Sequence, residues 1–157
     1  MFSDILFTEA KTQEELFEQV ANQLQTQVYV TADYKEALKK REKDFPTGLK
    51  IDYKDGSDVL FAAIPHTETQ YCLVDRLVYV KNSFPITFKH MINPQEDCYA
   101  KHFFFIINSK KSGQTQLLSN VITFFISKGN LQRLEDLGNH KKEIKDFLVE
   151  KGVLNND

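Results

Sequence analysis

In His102-Phe103-Phe104-Phe105-Ile106-Ile107 no residue after the leading histidine is polar, so none turns toward water. Successive side chains of a strand point to opposite faces, so a run with three consecutive phenylalanines must be covered on two sides. It predicts a central strand between helical layers. Val59-Leu60-Phe61-Ala62-Ala63-Ile64, bounded by the Asp55-Gly56-Ser57 turn and by Pro65-His66, reads as a second buried strand. Cys72 to Val80 alternates imperfectly and predicts another, Phe84 to Phe88 a shorter one, and Asn93-Pro94-Gln95-Glu96-Asp97 a polar loop between strands.

Helical signals lie on either side of this block. Thr12-Gln13-Glu14-Glu15 has the capping-box pattern, and Leu16, Phe17, Val20, Ala21 and Leu24 follow at helical spacing, predicting a helix over 12–25. A second helix begins near Ala32-Asp33, carries Tyr34, Ala37, Leu38 and Phe45, and is stopped by Pro46 and Gly48. Arg41 falls on its apolar stripe, where a cation calls for an anion. After Lys110-Lys111-Ser112-Gly113 a third helix carries Leu117, Leu118, Val121, Ile122, Phe124 and Phe125 and ends at Gly129, with short helices near 130–137 and 140–151 beyond it. The order of helices, strands and helices, without a repeat, predicts one α/β domain over 1–157: a mixed β-sheet flanked by helices on both faces, in three layers.

With 157 residues the chain is long enough to bury its own core. A net charge of −2, from 20 Lys+Arg and 22 Asp+Glu spread along the chain, argues against a nucleic-acid-binding protein. The 13 Phe and 6 Tyr rule out a disordered segment. Cys72 and Cys98 are too few and too far apart for a disulfide framework and read as reduced core thiols. No run approaches the ~20 apolar residues of a membrane span, and the start of the chain lacks a basic, then apolar, leader, so a soluble cytoplasmic protein is expected.

Of the four histidines, His66 stands apart. It follows a buried strand and a proline, which holds its imidazole at the carboxyl end of the sheet, where ligand crevices of open α/β sheets lie. A satisfied structural role is the plain alternative. His90, Cys98 and His102 are the only group worth testing as metal ligands, and their spacing matches no zinc pattern. The chain has no glycine-rich phosphate loop, no GxSxG and no HExxH. What remains is a neutral imidazole that can attack phosphorus directly, without metal or cofactor, and an arginine fork at Arg41 to hold the phosphoryl oxygens. By itself, Arg41 reads more readily as an exposed helix charge or as an ion pair with Glu42 or Asp44.

Arg41-Glu42-Lys43-Asp44-Phe45-Pro46-Thr47-Gly48-Leu49, followed by Ala62-Ala63-Ile64-Pro65-His66-Thr67-Glu68, resembles the double signature of the fructose/mannitol-type (type 2) enzyme IIA domains of the bacterial sugar phosphotransferase system. The Phe-Pro-Thr-Gly and Ile-Pro-His-Thr forms resemble the galactitol-type branch. The resemblance implies that His66 is the phosphoryl carrier, modified on Nε2 with Nδ1 held by an unidentified hydrogen-bond partner, and that Arg41 neutralises phosphoryl charge. Many relatives place a second histidine at the start of the helix after the late strand. Gln114 stands there in this chain, and it is expected to donate to the phosphoryl group without titrating. Thr47 and Thr67 are implied as further hydroxyl donors. Phe45, Leu49 and Phe61 are expected to ring an accessible His66. The implied reaction is a relay from phospho-HPr to His66 to a cysteine of a cognate IIB, and through it to the membrane IIC. A regulatory module whose phosphorylation state is read by another protein would keep the same residues, and a non-catalytic domain of the same fold would use the histidine structurally.

Overall fold

In the computed structural model, which describes residues 4–155, the Phe-rich run lies at the middle of a five-stranded mixed sheet. The elements are β1 (Ile5–Thr8), α1 (Gln13–Thr26), α2 (Tyr34–Asp44), β2 (Gly48–Ile51), β3 (Leu60–Ala63), a 3-10 turn at Thr69–Tyr71, β4 (Arg76–Lys89), β5 (Asp97–Ile107), α3 (Gln114–Ile126), α4 (Asn130–Asp136) and α5 (Lys141–Glu150). The strand order is β1-β4-β5-β3-β2. β5 is antiparallel to β4 and parallel to β3, and the flanking pairs are β1 parallel to β4 and β2 antiparallel to β3.

The phenylalanine run divides as the pleat requires. Phe103 and Phe105 pack with Leu16, Phe17, Val20 and Leu24 of α1 and with Tyr34 and Leu38 of α2. Phe104 faces the other way, into Val121, Phe124 and Phe125 of α3, Leu131 and Leu134 of α4, and Ile144 and Leu148 of α5. Edge-to-face contacts knit both layers: Phe17 meets Phe105 at 6.0 Å between centroids, and Phe104 meets Phe124 at 5.8 Å. Burying each such ring stabilises the fold by about 1.5–3 kcal/mol relative to leaving it exposed. The expected three-layer α/β arrangement is therefore the observed one. Cys72 and Cys98 are buried free thiols.

α1 starts as its capping residue predicts, with the Thr12 hydroxyl accepting from the Glu15 amide at 3.1 Å. α4 is held to the sheet by buried polar groups. Lys81 Nζ donates to the carbonyls of Leu134 (2.9 Å) and Gly138 at the helix C-terminus, where a cation is favoured. His102 accepts from the Tyr79 hydroxyl at Nδ1 and donates from Nε2 to Glu135, both at 2.7 Å. Burial lowers the pKa of this imidazole, and the Glu135 carboxylate acts in the opposite direction. Both nitrogens being engaged, His102 has no lone pair for a metal, and His90 uses Nδ1 to accept from the amides of Ile92 and Asn93.

Several boundaries differ from the sequence reading. β1 and β2 were not expected, since four residues display too little periodicity to identify a strand. The two strands expected at 72–80 and 84–88 are one strand, β4, whose pairing with β5 shifts register between Lys81 and Ile86. Pro85 lies in that irregular stretch, where its missing N–H costs no ladder bond. Cys72 falls outside β4 and forms an isolated bridge with Val30. β5 begins at Asp97, so the polar loop is shorter than expected.

Candidate functional site

β3 ends at Ala63, yet the chain continues beside β5. The Ile106 amide donates to the Pro65 carbonyl at 3.2 Å, and His66 forms a bridge with Ile106. On the opposite side the Ile64 amide donates to the Thr47 carbonyl at 3.3 Å. The Pro65-His66 step is thus held from both flanks, which brings a half-buried imidazole to the carboxyl end of the two parallel strands.

The tautomer of His66 follows from its partner. Nδ1 lies 2.8 Å from the Ile64 carbonyl oxygen, which can only accept, so Nδ1 carries the hydrogen and Nε2 the lone pair. Burial lowers the pKa of the imidazole and the Arg41 cation acts in the same direction, while the Ile64 carbonyl and the Glu68 carboxylate oppose them. The ring is accordingly neutral and nucleophilic near pH 7.

Arg41 comes from the last turn of α2. Its Nη1 is 2.7 Å from Glu68 Oε2, its guanidinium lies 4.5 Å from the Phe45 ring centroid, and its Nε is buried without a hydrogen-bond partner. Its ion pair is therefore with Glu68, not with Glu42 or Asp44. The Arg41 guanidinium holds the Glu68 carboxyl below the usual carboxylate range. Gln114 opens α3, where Gly113, at φ 88°, makes the left-handed turn that a side chain would resist. Its Nε2 donates to the Thr67 carbonyl at 3.4 Å, which brings the start of α3 to the residue after His66.

The two threonines are turned inward. Thr47 donates from its amide and hydroxyl to Glu42, at 2.6 and 2.7 Å, and Thr67 donates from its hydroxyl to the Glu68 carbonyl at 2.8 Å. Both residues are buried and both hydroxyl hydrogens are in use, so in this conformation they brace the backbone instead of pointing a free donor outward. Glu42 is itself buried, and burial pushes its carboxyl up to about 7 against the two Thr47 hydrogen bonds. One continuous chain of bonds thus runs from the Glu42 carboxylate through Thr47 and Ile64 to Nδ1 of His66.

The expected apolar ring is corrected. Phe45 is 60% exposed and lies against Arg41, but Leu49 is buried in the core shared with α3, α4 and α5 and Phe61 packs on Tyr99 at 5.8 Å. Phe61 sits five residues before His66, roughly 16 Å away along an extended chain. Three participants escaped the sequence reading: the Ile64 carbonyl, Glu42 and Glu68. Glu68 stood two places after His66 in the quoted motif, but only the tertiary fold shows that it meets Arg41.

The sequence matches the family model described as "Phosphoenolpyruvate-dependent sugar phosphotransferase system, EIIA 2" over residues 3–151. The chain belongs to that family. It is therefore a phosphotransferase component, an enzyme IIA of type 2, and its solved neighbours carry the same fold. The complex of enzyme IIAMTL with phosphorylated enzyme IIBMTL from Escherichia coli superposes with a TM-score of 0.70 at 19% identity, covering 96% of this chain and 97% of that one. IIA mannitol from Escherichia coli gives 0.67 at 21% identity over the same shares. The nitrogen regulatory protein IIA-Ntr from Neisseria meningitidis gives 0.67 at 22% identity, covering 94% of each chain. No sequence among curated proteins matches this EIIA. Among the described residues no helix is long and apolar enough to cross a membrane.

Proposed function

We propose that this EIIA carries a phosphoryl group on Nε2 of His66, taking it from phospho-HPr and passing it to a cysteine of a cognate IIB in the cytoplasm. The observation that carries the reading is the Nδ1–H···O=C bond to Ile64, which leaves the Nε2 lone pair as the nucleophile. The Nε2 lone pair attacks phosphorus while the bond from phosphorus to the donor atom breaks, its electron pair leaving with the donor. No general base is required, because the attacking atom bears no proton. The phosphorylated ring gains positive character, which the Ile64 carbonyl accommodates through the hydrogen it already accepts. In the second half, the IIB thiolate attacks phosphorus and the P–N bond returns its electrons to Nε2.

Such in-line transfers depend on positioning and on neutralising phosphoryl charge. Arg41 supplies the cation, with Nε free to donate, and Gln114 supplies an amide donor from the start of α3. Thr47 and Thr67 act by bracing the loops. The half-buried position of His66 suits a group that two protein partners reach in turn, and the described neighbour bound to phosphorylated IIBMTL is a precedent for the second partner. The Ile-Pro-His-Thr form and Gln114 favour the galactitol-like branch and hence a polyol as the transported molecule.

The likeness in fold to a nitrogen regulatory IIA supports a second reading, in which the phosphorylation state is sensed by a regulator. Reconstitution separates the two. With phosphoenolpyruvate, enzyme I, HPr and the IIB partner, the relay expects label to appear on His66 and then on the IIB cysteine. Label that loads His66 but never leaves for any IIB cysteine contradicts the transport reading and favours the regulatory one.

A further inference from the structure

We propose that Glu68 is a positioning residue that competes with the phosphoryl group for Arg41, and by doing so lowers the stability of phospho-His66 so that its phosphoryl group is readily passed on. The inference rests on the carrier reading of His66 and adds a residue that sets how tightly the carrier holds its load.

The geometry supports competition. Arg41 Nη1 donates to Glu68 Oε2 at 2.7 Å and the guanidinium lies 4.5 Å from the Phe45 ring centroid, so the cation is already paired with an anion before any phosphoryl group arrives. Its Nε is buried and has no partner. Arg41 and Glu68 both act electrostatically on the His66 imidazole, with opposite signs, so a cation and an anion share the surroundings of the ring. A phosphoryl group arriving on Nε2 brings close to two negative charges. It attracts the guanidinium, repels the carboxylate two residues along the chain, and offers Arg41 a stronger acceptor than a carboxylate. The Arg41 and Glu68 side chains are 30% and 45% exposed, so their ion pair is inexpensive to open and Glu68 is free to swing toward solvent.

Two states of Arg41 follow. In the empty carrier Glu68 pairs with the guanidinium and keeps the Arg41 charge from being left without an anion. In the loaded carrier the phosphoryl group takes the guanidinium and Glu68 is displaced, and part of the favourable phosphoryl–arginine interaction is spent in breaking the existing pair. Glu68 then returns to Arg41 when the IIB thiolate removes the phosphoryl group. No atom is gained or lost by Glu68 in this cycle; only its contact changes.

The test is the equilibrium of phosphoryl exchange between phospho-HPr and the full chain, measured by quantifying both phosphoproteins, for the unmodified protein, Glu68→Gln and Glu68→Asp. Removing one negative charge near a phosphoryl dianion is expected to shift the equilibrium toward phospho-His66 by about tenfold. Glu68→Asp keeps the charge and is expected to stay near the unmodified value. A residue with a purely structural role would alter melting temperature or transfer rate and leave the equilibrium ratio unmoved. If the unmodified protein loads His66 and the ratio for Glu68→Gln agrees with it within about twofold, or if Glu68→Asp shifts as far as Glu68→Gln, the competition is overturned while the carrier role stands. Failure of the unmodified protein to load at all would overturn the carrier reading, and the inference with it.

Discussion

At His66 the hydrogen on Nδ1 is tied to the Ile64 carbonyl, so protonation of the ring takes place at Nε2, the atom that must attack. Burial and Arg41 lower the imidazole pKa, so an NMR titration of the His66 ring is expected to have its midpoint below the ordinary value of about 6.5. A midpoint above that value would contradict the arrangement. Glu42 shifts in the opposite sense. Its folded pKa, raised by burial to about 7, exceeds the ordinary glutamate value of 4.5, so the folded state binds the proton more tightly than the unfolded chain. Its contribution to stability is complete below pH 4.5 and is lost as pH rises through 7. The difference corresponds to about 3 kcal/mol. A glutamine can accept from the Thr47 amide and donate to its hydroxyl, so Glu42→Gln is expected to fold and to lose this pH dependence. Denaturant titrations at pH 5 and 8 check it, and an unchanged pH dependence would show that Glu42 does not titrate across that range.

The elements that could be read from the sequence were those with enough length or a strong boundary: α1 from the Thr12 cap, α2 from its stop at Pro46, and the Phe-rich core of β5. The catalytic candidates were legible for a different reason, because Arg41 and His66 sit in two short motifs. β2 was hidden, since Gly48-Leu49-Lys50-Ile51 begins with a residue that reads as a helix stop. In the fold Gly48 is needed for close approach: a Cβ there would meet the Lys89 carbonyl oxygen at 2.6 Å and Cys98 Cβ at 3.1 Å. Gly48→Ala is therefore expected to cost about 1–3 kcal/mol in a denaturant titration, as for other overpacked sites. Because Thr47 precedes it and holds Ile64, a reduced rate of phosphoryl uptake should accompany the loss. Stability equal to that of the unmodified protein would mean that β2 can move aside. The Arg41–Glu68 pair could not be read from the sequence at all, because it joins the end of α2 to the loop after β3 and neither local pattern reports a contact between distant segments.

The whole molecule sets the sheet that carries the proposed carrier His66 between two helical layers, with α1 and α2 packed on one face and α3, α4 and α5 on the other. Phe104 is fully buried at the centre of the second layer, against Phe124 and Phe125. Phe104→Ala is expected to destabilise the protein by about 3–5 kcal/mol. For a domain of this size that is a fall in melting temperature of roughly 10 °C, and calorimetry showing a fall of only a degree or two would contradict a tightly packed second layer. The same packing fixes α3, and with it Gln114, beside the His66 loop, so the layers serve the site as well as the core. The central claim, that this architecture presents Nε2 of His66 as a phosphoryl acceptor, is tested most directly by one measurement. The protein and its His66→Ala variant are incubated with phosphoenolpyruvate, enzyme I and HPr, and their intact masses are compared under alkaline conditions that preserve phosphohistidine. The account predicts a gain of one phosphoryl mass in the unmodified protein and none in the variant; a gain in both, or in neither, would contradict it.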